Sequence, residues 1–373
     1  MKAGFVYSPE FGRFFIREDH PWYTTRSDVC FNLCQRYALL EQDGISVVAP
    51  RVATRAELEV FHTPDYLNLL LKANQNVFEE EMLASGIGIT ECPVFKGVYD
   101  YNALLAGASL TAADLILSEQ ADVIFSPTGG MHHAGPDFAA GFCYVNDAVL
   151  SIKRFLKRGL RVLYVDLDAH HGDQVQAAFY DSDQVFCLSF HESPRTLFPF
   201  ETGYETELGR EKGEGYNVNV PLPSGTSDEV FSWAFKEVYP PIVERFRPDV
   251  VIGIFGMDVV YSDPMSDLLL TNNATTEAVE MVARSADKLL AFGCGGYVLD
   301  NLARGWTLAW AAMTGQEISN DQSLTLGGVF LGDQEVSLLD APHVVPEKTL
   351  GETRAEIERV VTFLKKECPF LSE

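Results

Sequence analysis

The feature that most constrains how this chain folds is a series of short apolar runs, rich in β-branched residues, separated by longer amphipathic stretches. Bounded runs of this length predict buried strands, and apolar residues at helical spacing predict helices. We predict strands at Asp122–Ser126, Arg161–Val165, Val185–Ser189, Val250–Phe255 and Lys288–Phe292. We predict helices at Tyr101–Gln120, Asn146–Lys157 and Ser227–Phe246. Strands that are apolar on both faces and alternate with helices indicate an α/β protein, a parallel sheet flanked by helices on both faces.

We predict a single domain over residues 1–373. No repeat, low-complexity run or Pro/Ser-rich linker divides the 373 residues. The segment after Leu339 matches no motif, but Arg354–Lys366 has the amphipathic pattern of a helix that packs on the sheet.

The charge balance is strongly acidic, with 53 Asp and Glu residues against 28 Lys and Arg residues and a formal net charge of −25. This excess argues against a nucleic acid or an anionic membrane as partner. Nothing in the sequence specifies an oligomeric state. The charge suits a cationic partner such as a lysine-rich protein segment or a polyamine, although an acidic surface also serves solubility alone.

The cysteine pattern and the first residues of the chain predict a cytoplasmic protein. Seven scattered cysteines, an odd number with no CxxC pair, fit reduced thiols better than a disulfide framework. The start, MKAGFVYSPEFGRFF, lacks the apolar stretch of a signal peptide. No apolar run approaches the roughly 20 residues that cross a bilayer.

Polar residues suited to chemistry follow each predicted strand. Ligands of open parallel sheets bind beyond the carboxyl ends of the strands, so these residues are expected to meet at one edge. In chain order they are His132, His133, Asp166, Asp168, His170, His191, Asp258 and Tyr297.

The segment Val165–Asp173 (VDLDAHHGD) predicts a metal site. Asp168 and His170 are two apart, so both side chains can point the same way from a strand end. Asp258, which follows another strand, is the natural third ligand. Two carboxylates and one imidazole leave a fourth position open, as in a hydrolytic zinc site, although this ligand set also accepts Fe²⁺ or Co²⁺. A single Asp here could be a helix cap, but so many buried polar groups in one segment would lack partners.

Two further groups suit acid–base and oxyanion chemistry. His132 and His133 are adjacent in a Gly-rich loop, and each could take one of the carboxylates left over, Asp166 and Asp173, as a partner that fixes its tautomer. Tyr297 ends the run Gly-Cys-Gly-Gly-Tyr and could donate a hydrogen bond to a developing oxyanion, or could simply belong to a turn.

Taken together, these motifs resemble the family of histone deacetylases and acetoin-utilisation deacetylases. The resemblance covers His20-Pro21 through Gly315, a core of about residues 20–315. It implies the arginase/deacetylase fold, with zinc at the base of a narrow tube, and a zinc-dependent deacylase that removes acetyl or other acyl groups from N-acyl-lysine or related acyl amines. The segments that carry it are His132-His133-Ala134, Gly141-Phe142, Asp166–Asp173, Asp258 with Asp263-Pro264, and the loop ending at Tyr297.

The resemblance also implies a role for each matched residue. Asp168, His170 and Asp258 would bind Zn²⁺. His133, paired with Asp173, would be the general base and then the general acid. His132, paired with Asp166, would assist beside the zinc. Tyr297 would complete the oxyanion site.

The family pattern further implies substrate and cation sites. Phe142 and Phe198 would form the tube walls, Glu91 would lie at the rim and Arg26 would line an internal cavity through which acetate leaves. The implied substrate-binding residues are Glu91, Gly141, Phe142, Phe198, Met265 and Arg26. The implied monovalent-cation (K⁺ or Na⁺) residues are Asp166, Asp168, His170, Ser189 and Phe190 for one ion, and Phe179, Val185 and Tyr216 for another.

The sequence departs from the family pattern at several positions that bear on substrate choice. Gln174 replaces a common Gly, Cys294 interrupts a run of Gly, Glu91 replaces a rim Asp, and Tyr261 lies in a bulkier turn after Asp258.

Three alternative functions remain. An acetylpolyamine amidohydrolase fits the acidity, but Gly-Gly-Met precedes His132 where that branch has Pro-Pro-Gly. A ureohydrolase needs a second metal ion and further Asp ligands. A non-catalytic acyl-lysine binding protein is disfavoured because every catalytic residue is present.

Overall fold

The computed structural model describes residues 1–318 and 337–372. Its strands form one eight-stranded sheet, in the order β2-β1-β3-β8-β7-β4-β5-β6, in which every neighbouring pair is parallel. The strands are β1 (Ala3–Val6), β2 (Ile45–Val48), β3 (Val123–Ser126), β4 (Val162–Asp166), β5 (Val185–Glu192), β6 (Asn217–Leu222), β7 (Val250–Ile254) and β8 (Leu289–Phe292).

Helices occupy most of the connections between strands, because neighbouring parallel strands need a long crossover connection. Short 3₁₀ segments lie at Pro9–Arg13, Glu80–Ser85 and Glu211–Gly213. The α-helices of the described residues are α1 (Arg26–Arg36), α2 (Arg55–Leu58), α3 (Pro64–Ala73), α4 (Val98–Leu117), α5 (Asp147–Leu156), α6 (Asp173–Phe179), α7 (Asp228–Phe246), α8 (Asn272–Ser285), α9 (Leu299–Thr314) and α10 (Glu347–Glu367). Within the described residues, no helix is both long and apolar enough to cross a membrane.

Two hydrophobic cores lie on opposite faces of the sheet because successive strand residues point to opposite sides. In β4, Leu163 and Val165 join one core, whereas Val162 and Tyr164 join the other. The first core includes α1, α7, α8, α9 and α10, and the second includes α2, α3, α4, α5 and α6. The predicted parallel α/β sheet with helices on both faces is confirmed.

The five predicted strands are all present, but β1, β2 and β6 were missed. β2 is a four-residue edge strand whose two central residues are exposed, so its sequence carries little signal of a buried strand. β6 alternates Asn217 and Asn219 with valines and contains Pro221, which is tolerated because β6 is the other edge. The predicted helix at Arg354–Lys366 is the main part of α10, which packs against α7 and β6.

The four central strands end at the same level. Asp166 of β4 pairs with Ile254 of β7, Ile254 pairs with Phe292 of β8, and Phe292 pairs with Ser126 of β3. The loops that follow these four strands therefore meet at one edge of the sheet. Most of the polar residues that the sequence predicts for the active site lie in these loops.

Candidate active site

Three buried side chains that could bind a metal ion lie close together where the loops after β4 and β7 meet. Ligand atoms of Asp168, His170 and Asp258 all lie within 4.8 Å of one another. His170 Nδ1 is 3.2 Å from Asp168 Oδ1 and 3.0 Å from Asp258 Oδ2. The backbone holds both carboxylates, because Ala169 N–H donates to Asp258 Oδ1 (3.0 Å) and Gly295 N–H donates to Asp168 Oδ2 (2.7 Å).

The surroundings of this triad suit a divalent cation. Burial and the neighbouring Asp168 carboxylate raise the pKa of Asp258 to about 7, a repulsion that a bound cation would relieve. A Cβ atom at Gly256 or at Gly295 would clash with both carboxylates, so the backbone can approach the triad only as glycine. Two carboxylates and an imidazole are the donor set of a hydrolytic zinc site. The residues present therefore fit the metal that the sequence implies.

Each of the adjacent histidines has its own carboxylate partner. His132 Nδ1 donates to Asp166 Oδ2 (2.8 Å), and His133 Nδ1 donates to Asp173 Oδ1 (2.7 Å). Because Nδ1 of each ring is hydrogen-bonded to a carboxylate, Nε2 is the ring nitrogen that can contact a molecule in the pocket. The hydroxyl of Tyr164 also donates to Asp166 Oδ2.

The two histidines differ in the pKa of their rings. Burial lowers the pKa of His132, but the charges of Asp166 and its neighbours outweigh burial and raise it to about 9. For His133, burial and then the charge of His132 lower the pKa below its usual value, against the opposing effect of Asp173. His133 is thus the neutral member of the pair near pH 7, which is the state a general base needs.

Tyr297 lies on the loop after β8 and lines the same pocket as the two histidines. Its backbone N–H donates to Asp263 Oδ2 (2.7 Å), and Met265 N–H donates to Asp263 Oδ1 (3.0 Å). Burial, and then the charges of Asp258 and Asp168, raise the pKa of the Tyr297 phenol well above its usual value. The hydroxyl therefore stays protonated and can donate a hydrogen bond.

A pocket with a volume of about 80 Å³ lies among these groups. Phe142 and Phe198 line its sides, and the Phe142 ring packs edge-on to Tyr297 with centroids 5.7 Å apart. Gly141 lies against His133, where a Cβ would approach the imidazole to 2.5 Å. The lining residues are Trp22, Glu91, His132, His133, Gly141, Phe142, Cys143, Asp168, His170, Phe198, Met265, Cys294 and Tyr297.

Comparison with known proteins decides the family. The sequence model of the histone deacetylase domain matches residues 20–313. The chain belongs to the histone deacetylase family. It is 37% identical to histone deacetylase 8 of Xenopus tropicalis over 79% of this chain and 80% of that protein. It is also 37% identical to the acetoin utilization protein AcuC of Bacillus subtilis, over 83% of this chain and 82% of that protein.

Solved structures of the histone deacetylase family agree in fold. A crystal structure of an HDAC homologue complexed with SAHA covers 98% of this chain and all of its own, with 33% identity and a TM-score of 0.84. An HDAC homologue from Aquifex aeolicus covers 96% of this chain and all of its own, with 32% identity and a TM-score of 0.81. The chain is therefore a hydrolase of the histone deacetylase family with the arginase/deacetylase fold.

Five of the six predicted substrate-binding residues of this histone deacetylase family member line the pocket, and Arg26 lies behind it. The Arg26 side chain is buried, stacks on the Trp22 ring at 3.8 Å and donates from Nη2 to Gly296 O (2.8 Å). Among the residues that the structure describes, none is a hydrogen-bond partner of the Arg26 nitrogens Nε and Nη1. The internal-cavity role of Arg26 stays a prediction.

The predicted cation residues fall into two places, although their role also stays a prediction. Asp166 and Ser189 are paired neighbours on β4 and β5, and Asp168 N–H donates to Asp166 Oδ1 (3.1 Å). Phe179 ends α6, Val185 begins β5 and Tyr216 directly precedes β6.

Departures from the family pattern contact the site directly. Gln174 Nε2 donates to Asp173 Oδ2 (2.8 Å), the oxygen that does not face His133. Glu91 Oε2 accepts a hydrogen bond from Gly141 N–H (3.4 Å) at the pocket wall. Gln174 and Glu91 thus contact Asp173 and Gly141, which both lie against His133.

Sequence reasoning missed three supporting residues of the family site. Asp263 was noted in the motif without a role, yet it holds the backbone of Tyr297. Tyr164 binds Asp166 from within β4, and Trp22 stacks on Arg26. Their signal in the sequence is only a buried aromatic or a turn carboxylate, which is indistinguishable from core or turn composition.

Proposed function

We propose that this protein is a zinc-dependent deacylase that hydrolyses the amide bond of N-acyl-lysine in proteins or of related acyl amines. The observation that carries the proposal is a pocket lined by His132, His133, Asp168, His170 and Tyr297, with Asp258 completing the triad and a carboxylate behind each of the two histidines.

The triad would hold the metal through the side chains of Asp168, His170 and Asp258. Zinc supplies Lewis-acid activation of water and of the acyl carbonyl when it is bound. The Gly295 and Ala169 amides keep the two carboxylates in place, so the ligands are organised before an ion arrives.

His133 would move the protons of the reaction. Its neutral ring can accept a proton from the attacking water on Nε2, while Asp173 stabilises the imidazolium that forms. The same nitrogen can then protonate the leaving amine. His132, held by Asp166 and charged near neutral pH, would stabilise negative charge that develops beside it.

Tyr297 would donate its phenolic hydrogen to the oxyanion from the opposite side of the pocket. The aromatic side chains of Phe142 and Phe198 would enclose the alkyl chain of the substrate and exclude water from it. Such a narrow apolar tube suits an extended methylene chain, as in lysine.

The second candidate substrate class is an acylpolyamine. Glu91 in the pocket wall and the net charge of −25 both favour a cationic chain beyond the acyl amide. An acylated lysine within a basic peptide shares this chemistry, so rates on the two substrates must separate them.

We further propose one domain, K⁺ or Na⁺ as structural ions, and a cytoplasmic location. All seven cysteines are free thiols, which supports a reducing compartment.

The first experiment is hydrolysis of a fluorogenic acetyl-lysine substrate by the zinc-loaded protein, beside acetylspermidine and longer acyl-lysines. We expect turnover that a hydroxamate and His133→Ala both abolish, with relative rates that rank the substrate classes. Failure to hydrolyse any of these substrates, with zinc bound, would overturn the proposal in favour of a binding protein.

A further inference from the structure

Cys294 places a thiol in the wall of the pocket, within a second group of possible metal ligands. Ligand atoms of Cys294, His132 and Asp168 all lie within 4.8 Å of one another, and all three residues are buried. This group shares Asp168 alone with the Asp168–His170–Asp258 triad. The pocket therefore holds more ligands than one ion requires.

The backbone at Cys294 is one that glycine adopts more readily. Its φ angle is +65°, and the residues around it in the loop are Gly293, Gly295 and Gly296. A side chain in this left-handed region carries a conformational cost that glycine avoids. The cysteine adds to this loop a thiol that donates to Gly130 O at 2.8 Å, beside Asp168 and His132.

We propose that Cys294, His132 and Asp168 form a second site, for a thiophilic divalent cation such as Zn²⁺ or Cd²⁺, whose occupation inhibits the enzyme. His132 would bind through Nε2, because Nδ1 is engaged by Asp166. Asp168 would be shared by the two sites, since its Oδ1 lies 4.0 Å from His132 Nε2 and 3.2 Å from His170 Nδ1. The inhibition rests on the proposed function, because an ion on His132 and Asp168 removes them from catalysis.

The ligand types determine which ions the second site accepts. A thiolate and an imidazole select Zn²⁺ or Cd²⁺ over Mg²⁺, which prefers oxygen ligands. Burial, and then the charge of Asp168, raise the pKa of the Cys294 thiol, so the thiol is protonated at neutral pH. Binding breaks the S–H bond of Cys294 and the Nε2–H bond of the charged His132 ring, forms the sulfur–metal and nitrogen–metal bonds, and releases both protons to solvent. The apparent affinity therefore rises with pH.

The test is a Cd²⁺ titration of the chelator-stripped full chain, followed by metal analysis and by the ultraviolet thiolate-to-cadmium charge-transfer band. We expect two ions per chain and a thiolate band. Glycine suits the left-handed backbone at this position, so Cys294→Gly should fold. We expect it to lower the affinity for the second Cd²⁺ ion by more than about 100-fold, because losing a metal ligand costs more affinity than losing a residue that only hydrogen-bonds to a ligand. It should also lose the band.

The matched control is Cys143→Ala, which removes another buried thiol of the same pocket, one that donates to Gly141 O (3.3 Å). This variant should keep both ions and the band. Thermal melting of both variants checks that each is folded. Excess Zn²⁺ should inhibit the wild type but not Cys294→Gly.

Asp258→Asn separates this proposal from the proposed function, because Asp258 belongs to the triad only. We expect it to retain one ion with a thiolate band. One ion per wild-type chain without a thiolate band would overturn the second site and leave the first intact. A band that survives Cys294→Gly would overturn it too. Two ions in Asp258→Asn would instead refute the proposed triad.

Discussion

At the scale of single residues, the pocket contains two adjacent histidines whose surroundings shift their pKa values in opposite directions. His132 faces Asp166, which Tyr164 also contacts, and its pKa rises to about 9. His133 faces Asp173, and its pKa falls. A pair of titratable groups whose pKa values are pushed apart is the usual arrangement for acid–base catalysis.

The lowered pKa of His133 predicts the acid side of the pH–rate profile. A base works when neutral, so a pKa below the ordinary histidine value of about 6.5 preserves activity to lower pH. We expect the acid limb of kcat/KM to lie below that value. Asp173→Asn removes a charge that raises the pKa of His133, so the acid limb of kcat/KM should move to still lower pH. The same substitution should reduce the maximal rate. A wild-type limb above 6.5 would contradict this assignment.

Tyr297→Phe tests the proposed oxyanion donor. We expect turnover to fall by roughly 10²–10³-fold, because one preorganised donor is lost, with metal content unchanged. Steady-state kinetics and metal analysis of the same preparation measure both. Loss of the metal in this variant would show that the role of Tyr297 had been misassigned.

At the scale of elements, the central strands and the residues at their ends could be predicted from the sequence, and the edges could not. The runs that became β4 and β7 are apolar on both faces because helices cover both, so their signal is strong. β6 carries Asn217 and Asn219, whose amides both donate to Gln176 Oε1, a partner invisible in the local pattern. The supporting contacts of Asp263 and Tyr164 likewise depend on tertiary packing.

α10 is an element whose sequence matches no catalytic motif, and its packing predicts a structural role. Leu364 is fully buried in the core that α10 shares with α7. We expect Leu364→Ala to destabilise the protein by about 2–5 kcal/mol, measured by denaturant unfolding. Lys366→Ala, on the exposed side of the same helix, is the control and should change stability little. Equal effects would mean that α10 does not pack as described.

At the scale of the whole molecule, the excess of 25 negative charges favours the approach of cationic molecules. Cationic substrates are attracted over distances that salt shortens to about 8–10 Å at physiological ionic strength. The net charge of the protein is thus expected to change the rate at which a cationic substrate reaches the pocket and not the rate of the chemical step.

Salt dependence tests this long-range attraction. We expect kcat/KM for a lysine-rich acetylated peptide to fall by about 10-fold between low and high salt, because electrostatic steering is lost. A small uncharged acetyl-lysine substrate should change little over the same range. Equal salt dependence of the two substrates would argue against the attraction.

The level ends of β3, β4, β7 and β8 have a consequence for how long the site survives. Each of these strands is paired on both sides, whereas β2 and β6 are edges. Amide hydrogens at the edges exchange with solvent through local openings, but those of the inner strands exchange only when the whole fold opens. Because the loops that carry the candidate site residues are anchored on these inner strands, local opening of the edges β2 and β6 should leave the arrangement of the site intact.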